Sequence, residues 1–198
     1  MRVAITRDAL LRPLQHIGSV VERRQTLQIL SHILFHVEEA RLTLTGTDLE
    51  VEATAYVPVQ DAQPGLCTVP ARKMLDICRT LPDGAQLVIS QDGERAVVTS
   101  GKSRFVLNSL PAKEFPSVGD IKPVASFTVT QGRFKEHIDR TQFAMAQQDV
   151  RYYLNGLLLE AGATTLRTVA TDGHRLAVCS STGNHICDNN QQVIVPRK

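Results

Sequence analysis

Ile5-Thr6-Arg7-Asp8-Ala9-Leu10 lines up with Val129-Thr130-Gln131-Gly132-Arg133-Phe134, 124 residues further along the chain. With no gap, Leu30, Leu34, Leu42, Thr47 and Asp48 then meet Leu154, Leu158, Leu166, Thr171 and Asp172. Few letters are identical, so the shared hydrophobic pattern carries the comparison. A later match, Val69-Pro70-Ala71-Arg72-Lys73 against Val195-Pro196-Arg197-Lys198, needs a two-residue shift. A period this long means duplicated domains rather than a solenoid of short repeats. The first copy occupies 1–123. The second, 124–198, stops where the first still has a helix and several strands to come, so it reads as incomplete and the chain as a fragment of something longer.

Each copy opens with a short strand and an amphipathic helix. Residues 2–6 read as strand and 7–21 as helix, with Leu10, Leu14, Ile17 and Val21 forming an apolar stripe. Arg12, His16, Ser19 and Arg23 make a partly basic stripe opposite. Pro13 interrupts the pattern, since proline belongs in a helix's first turn. In copy two the stripe is Phe134, Ile138, Thr141 and Met145, flanked by Arg133, His137 and Arg140, with Glu136 and Asp139 diluting the charge.

Strands are expected over 29–37, 41–46 and 48–59. The last alternates with period two, placing Asp48, Glu50 and Glu52 on an acidic, solvated face. A second helix begins near Pro70, with Met74, Ile77, Cys78 and Leu81 inward and Arg72, Lys73 and Arg79 outward. Pro82-Asp83-Gly84 ends it. Three more strands fit 85–91, 94–100 and 103–108, with Asp92-Gly93 as a hairpin turn. Pro111–Pro123, with three prolines, reads as the linker. Each complete repeat is therefore an α+β domain of two helices and two runs of strands.

Composition narrows the function classes. The chain is 42% hydrophobic and 21% charged, as expected for a globular protein. No apolar run approaches the ~20 residues of a membrane span. The N-terminus lacks a signal peptide's apolar stretch, which gives a cytoplasmic expectation. There Cys67, Cys78, Cys179 and Cys187, without paired zinc spacing, are reduced thiols. A net charge of +2 says little, but its sorting says more. Helices carry arginine and lysine and one strand face carries carboxylates, which suits a nucleic-acid binder as well as an ordinary solvated surface.

Few motifs carry chemistry. Gly101-Lys102-Ser103 resembles the end of a phosphate loop, yet position 96 is Ala and the segment joins two strands, so a hairpin turn is expected. Asp172-Gly173-His174-Arg175 suggests acid–base chemistry, but no nucleophile motif accompanies it. His174, Cys179, His185 and Cys187 match no standard zinc spacing. Asp48 and Asp172, equivalent in the two copies, suit a turn or capping role. The most unusual segment is Gln147 to Gly156, where Tyr152 and Tyr153 adjoin Arg151. On a strand the two rings would point to opposite faces, one to core and one to solvent, and an exposed ring could stack on a base.

At these residues a family resemblance enters. Gln148-Asp149-Val150-Arg151-Tyr152-Tyr153-Leu154-Asn155-Gly156 and Arg167-Thr168-Val169-Ala170-Thr171-Asp172-Gly173-His174-Arg175-Leu176-Ala177 closely resemble the bacterial sliding clamp, the beta subunit of DNA polymerase III. Leu44-Thr45-Gly46-Thr47-Asp48-Leu49-Glu50 and Thr68-Val69-Pro70-Ala71-Arg72-Lys73 match it in the first copy. The resemblance implies a member with three such domains, of which the third is absent from this chain. Two full-length subunits would close head to tail into a ring around duplex DNA, helices inward. It implies no catalysis and no cofactor or metal. The implied partners are double-stranded DNA, the polymerase III catalytic subunit, the clamp loader and other proteins with clamp-binding motifs, without a membrane. Carried onto matching positions, Arg24, Arg72, Gln148, Tyr152, Tyr153 and Lys198 would contact DNA. Arg151, Leu154, Thr171, Gly173, His174, Arg175 and Leu176 would line part of a peptide pocket. In the family the third domain of the neighbouring subunit meets domain one, so the 198-residue chain is expected neither to close a ring nor to bind peptide tightly.

Two rivals stand beside this expectation. One is a hydrolase or metalloenzyme using Asp172, His174, Cys179 and Cys187. The other is a DNA-binding domain without topological linkage.

Overall fold

The computed structural model describes residues 1–21, 27–116, 122–123, 125–183 and 187–197. The chain divides into two compact units, Met1–Gly119 and Asp120–Lys198. The fold of each is α+β.

In the first unit, strand β1 (Arg2–Thr6) leads directly into helix α1 (Arg7–Val20). Thr6 caps that helix by accepting the Ala9 N–H at 3.3 Å, satisfying one of the donors that a helix start leaves open. Leu10, Leu14, Ile17 and Val20 are buried. Val21, expected in the stripe, stands just past the helix and packs against the core from its edge. Pro13 lies within α1, where it has no N–H to offer the Ala9 carbonyl.

A 3₁₀ turn, Gln28–Ser31, follows where a strand was expected to begin; Ser31 Oγ donates to the Gln28 carbonyl at 2.7 Å and closes it. Strands β2 (His32–Glu38), β3 (Arg41–Thr47), β4 (Glu52–Pro58), β5 (Ala62–Gln63) and β6 (Gly65–Pro70) come next. Helix α2 (Ala71–Thr80) is followed by β7 (Gln86–Asp92), β8 (Arg95–Ser100) and β9 (Ser103–Asn108). Gly93 (φ +57°) and Gly101 (φ +55°) make the two hairpin turns, so Gly101-Lys102-Ser103 is a strand connection. Leu81 caps α2 rather than extending its stripe.

Two antiparallel sheets result, ordered β5-β1-β7-β8-β9 and β4-β3-β2-β6. A single core joins Val3, Leu87 and Ile89 of one sheet to Phe35, Leu42 and Leu44 of the other, with Leu10, Leu14 and Met74 from the helices. Chain after β9 folds back on the second sheet: Leu110 N–H donates to Thr68 Oγ1 at 2.7 Å, and Phe115 is buried against Ile29 and Leu30. Most of the linker expected at Pro111–Pro123 thus belongs to the first unit, which includes a 3₁₀ turn at Ala112–Glu114 and the buried Phe115, because Phe115 has apolar surface to bury.

The second unit contains α3 (Gln131–Thr141) and strands β10 (Gly156–Ala161), β11 (Thr165–Thr171), β12 (Leu176–Thr182) and β13 (Gln191–Pro196), in the order β12-β11-β10-β13. Its register repeats that of the first unit. Leu34 pairs with Thr45 and Thr45 with Thr54; Leu158 pairs with Val169 and Val169 with Val178, each 124 residues on. Leu34 also pairs with Thr68, and Leu158 with Ile194, where the two-residue shift appears. Phe134 and Ile138 are half-buried, Thr141 is buried, and Met145 is buried past the helix end.

His137, expected on a basic flank, is instead 1% exposed. Its Nε2 lies 2.8 Å from Ser181 Oγ and its Nδ1 3.3 Å from Thr168 Oγ1, and Thr168 Oγ1 also donates to the His137 carbonyl at 3.2 Å. With the threonine proton on that carbonyl, Nδ1 is the donor to Thr168 and Nε2 accepts from Ser181, a neutral imidazole. Burial holds its pKa below the usual histidine range.

Candidate functional site

The site is built from two loops of the second unit. The first connects β11 to β12. Asp172 Oδ1 accepts the N–H groups of His174 (2.9 Å) and Arg175 (3.0 Å), while Thr171 Oγ1 accepts that of Gly173 at 3.1 Å. The first unit has the same loop between β3 and β4. Asp48 Oδ1 accepts from Glu50 (2.9 Å) and Val51 (2.7 Å), and Thr47 Oγ1 from Leu49 (3.0 Å). A short carboxylate that captures N–H groups two and three residues on is a turn-forming device. The strand expected over 48–59 therefore starts only at Glu52, and Asp48 and Glu50 are loop residues rather than members of an acidic strand face. The backbone N–H bonds from His174 and Arg175 come first in holding the Asp172 carboxyl below its ordinary range.

The second loop, 146–155, carries the tyrosines. Asp149 accepts three hydrogen bonds from Arg151, from its N–H (2.8 Å), Nε (2.9 Å) and Nη2 (2.9 Å). Those bonds to Arg151 hold the Asp149 carboxyl down at about 2. Asp149 N–H donates to Asn155 Oδ1 and Asn155 Nδ2 returns a bond to the Asp149 carbonyl, both 2.9 Å. Ala146 N–H to the Leu154 carbonyl (2.9 Å) and Arg197 N–H to the Asn155 carbonyl (3.0 Å) fasten the loop's ends.

Tyr152 and Tyr153 lie in a 3₁₀ turn, Tyr152–Asn155, not in a strand, so the expected split between core and solvent does not arise. Both are exposed, 82% and 49%, with ring centroids 6.0 Å apart and planes nearly perpendicular at 79°. Gln148 is exposed as well, with φ +58°.

The two loops meet at Arg151 and Gly173. A Cβ placed on Gly173 would stand 3.4 Å from Arg151 Nη2, and Gly173 has φ +91°. Around this contact, Leu154 is buried while Thr171 is half-exposed and His174, Arg175 and Leu176 are exposed. Arg175 bonds to Asp172 at 3.0 Å and lies 5.7 Å from the Phe143 ring centroid. The candidate pocket residues thus fall within one neighbourhood. Asp149, Asn155 and Phe143 escaped sequence reasoning; the only signal was the Asp149–Arg151 spacing.

In the first unit, Arg72 and Arg79 are exposed along α2 and border a cavity of about 360 Å³ with Gly18, Val21, Ser31 and Leu75. The cations of α3 are more nearly neutralised: Arg140 pairs with Glu136 at 2.7 Å and Lys135 with Asp139. Arg23, Arg24, His185 and Lys198 lie outside the described residues. Cys179 and Cys187 are buried whereas His174 is exposed. Among the described residues no group of three or more His, Cys, Asp or Glu side chains is placed to hold a metal ion.

A domain present twice, with the same carboxylate-capped loop in each copy, defines a duplicated α+β scaffold, and in the second copy that loop lies against Arg151. The chain belongs to the DNA polymerase III beta subunit family, its residues 1–119 matching the family's N-terminal domain and 128–198 its central domain. It is 53% identical to the beta sliding clamp of Pseudomonas aeruginosa and 51% identical to that of Escherichia coli K12, over all of this chain and 54% of each relative. The chain spans about half the length of the curated relatives it matches. The crystal structure of the DNA polymerase III subunit beta from Pseudomonas aeruginosa superposes with a TM-score of 0.92 at 51% identity, covering all of this chain and 54% of that one. A Pseudomonas aeruginosa clamp bound to griselimycin gives 0.93 at 52% with the same coverage. Caulobacter crescentus pol III beta gives 0.92 at 42%, again with 54% of that chain covered. No helix among the described residues is long and apolar enough to cross a membrane.

Proposed function

We propose that this chain supplies the first two domains of a sliding clamp, a cytoplasmic, non-catalytic subunit that encircles duplex DNA and tethers the replicative polymerase. Residues 1–123 form its first domain and 124–198 belong to its second. Two full-length subunits, each with a third domain, close the ring. Arg24, Arg72, Gln148, Tyr152, Tyr153 and Lys198 face DNA. Arg151, Leu154, Thr171, Gly173, His174, Arg175 and Leu176 form part of the pocket for short peptides of the polymerase III catalytic subunit, the clamp loader and other partners. Griselimycin, bound by the Pseudomonas aeruginosa clamp, is proposed as a ligand of this pocket.

The observation that carries this reading is the 146–155 loop, whose hydrogen bonds are spent on holding two tyrosines in solvent rather than in a core. Exposed aromatic faces cost hydrophobic free energy unless a ligand covers them, and unpaired bases of the single-stranded template beside a primed duplex can stack on them without regard to sequence. The exposed Arg72, Lys73 and Arg79 on α2 add phosphate attraction. A clamp needs this combination: diffuse attraction to the backbone and no readout of base edges. The metalloenzyme rival finds less support, because Asp172 is committed to backbone N–H groups and Cys179 is buried away from exposed His174.

The test is primer extension on primed circular single-stranded DNA with polymerase III and clamp loader. Adding the protein that carries this sequence lengthens products from short to full circles. Unchanged product length would overturn the proposal.

A further inference from the structure

The two groups of residues assigned to DNA and to partner peptide share one small piece of covalent chain. From Asp149 to Asn155 the backbone is closed into a ring by the reciprocal 2.9 Å hydrogen bonds between those residues. Inside that ring stand Arg151, which lies against Gly173 of the neighbouring loop, and Tyr152 and Tyr153, which project into solvent. Leu154, the buried member of the pocket set, follows Tyr153 within the ring and fastens it to Ala146, whose N–H its carbonyl accepts.

Resting on the clamp reading, we infer that Asp149 and Asn155 are positioning residues that couple DNA contact at the tyrosines to ligand binding at the pocket. Asp149 fixes Arg151 at three points, so the guanidinium cannot leave Gly173 without disturbing the turn that presents Tyr152. Conversely, a base stacked on Tyr152 holds the turn, and therefore Arg151, in the arrangement that the pocket requires. Each ligand favours the one arrangement of the turn that the other requires, so each raises the other's affinity. The coupling is positive, and linkage makes it reciprocal. Neither Asp149 nor Asn155 belongs to the DNA-facing or pocket-lining sets; they act through Arg151 and the tyrosines.

The experiment measures griselimycin affinity for the full-length protein carrying this sequence, with and without a saturating primed-template oligonucleotide. DNA affinity is measured with and without griselimycin. For the unaltered protein both ratios are expected to be equal and about fivefold or more, the lower end of typical allosteric coupling. Asp149→Asn keeps the side chain's size but gives up its charge, and the ratios are expected to fall to about one while each ligand alone still binds. Asn155→Ala, which removes the reciprocal bonds and leaves the Asp149–Arg151 pair, does the same and serves if Asp149→Asn fails to fold. A ratio of one in the unaltered protein, or a ratio unchanged in the folded variants, would overturn the coupling while the clamp reading stands. Failure of the unaltered protein to bind either ligand removes the clamp reading and the coupling with it.

Discussion

Leu49 and Gly173 occupy the same place in the two capped loops, one residue after Asp48 and Asp172. Both have positive φ, +78° and +91°. The first unit therefore already accommodates leucine in this conformation, with the side chain 56% exposed. Gly173→Leu asks the second unit to do the same. Backbone strain at such a position costs about 1–3 kcal/mol, and the smaller conformational freedom of the unfolded chain returns about 0.4–1 kcal/mol. A net loss of about 1–2 kcal/mol is expected, too little to unfold a typical domain. The local consequence is larger, because the new Cβ would meet Arg151 Nη2 at 3.4 Å and the rest of the leucine would displace the guanidinium. Griselimycin affinity should fall more than tenfold, read by calorimetry on the full-length protein, while urea unfolding followed at β11 amides shows only the modest loss. The reverse change, Leu49→Gly, relieves strain in the first unit and leaves the affinity alone. Unchanged affinity in a folded Gly173→Leu variant would refute the role given to the Arg151–Gly173 contact.

Two further outcomes follow from buried groups. His137 is neutral in the folded chain with its pKa lowered chiefly by burial; on its own helix Glu136 opposes the shift and Arg133 and Arg140 favour it, while β11 and β12 face it with Thr168 and Ser181. On acidification the unfolded chain takes the proton first, near the ordinary value of about 6.5, so the stability that the neutral imidazole contributes is full above that pH and is lost as pH falls from there through the lowered folded value. His137→Leu should flatten this dependence in urea melts between mildly acidic and neutral pH; an unchanged slope contradicts the assignment. All four cysteines are buried, and burial pushes the Cys78 thiol up to about 11. A colorimetric thiol reagent at mildly alkaline pH should therefore react slowly with the native chain and fully after urea, whereas rapid native labelling of Cys78 would show that α2 opens readily.

Much of the architecture could be read from the sequence because the duplication checks itself. A pairing such as Val37 with Leu42 recurs, 124 residues on, as Ala161 with Leu166, apolar in both copies. What pattern alone misassigned were places where a polar side chain competes with the ladder. Asp48 captures two backbone N–H groups and turns an alternating stretch into a loop, and Ser31 closes a 3₁₀ turn inside an apolar run. His137 looked like surface because histidine spacing matched a basic stripe, yet Ser181, 44 residues away, supplies the partner that lets it be buried. Tyr152 and Tyr153 were conspicuous by type, but their joint exposure depends on Asp149 and Asn155 closing the loop, a contact that no periodicity encodes.

Topological closure around DNA is tested by loading the full-length protein with its loader onto a nicked circular plasmid, washing in high salt, and linearising half of the sample. A ring stays on the circle, since salt screens phosphate attraction but cannot open a closed path, and slides off the linear form. Equal, salt-sensitive loss from both forms would mean ordinary electrostatic binding and would contradict the clamp account.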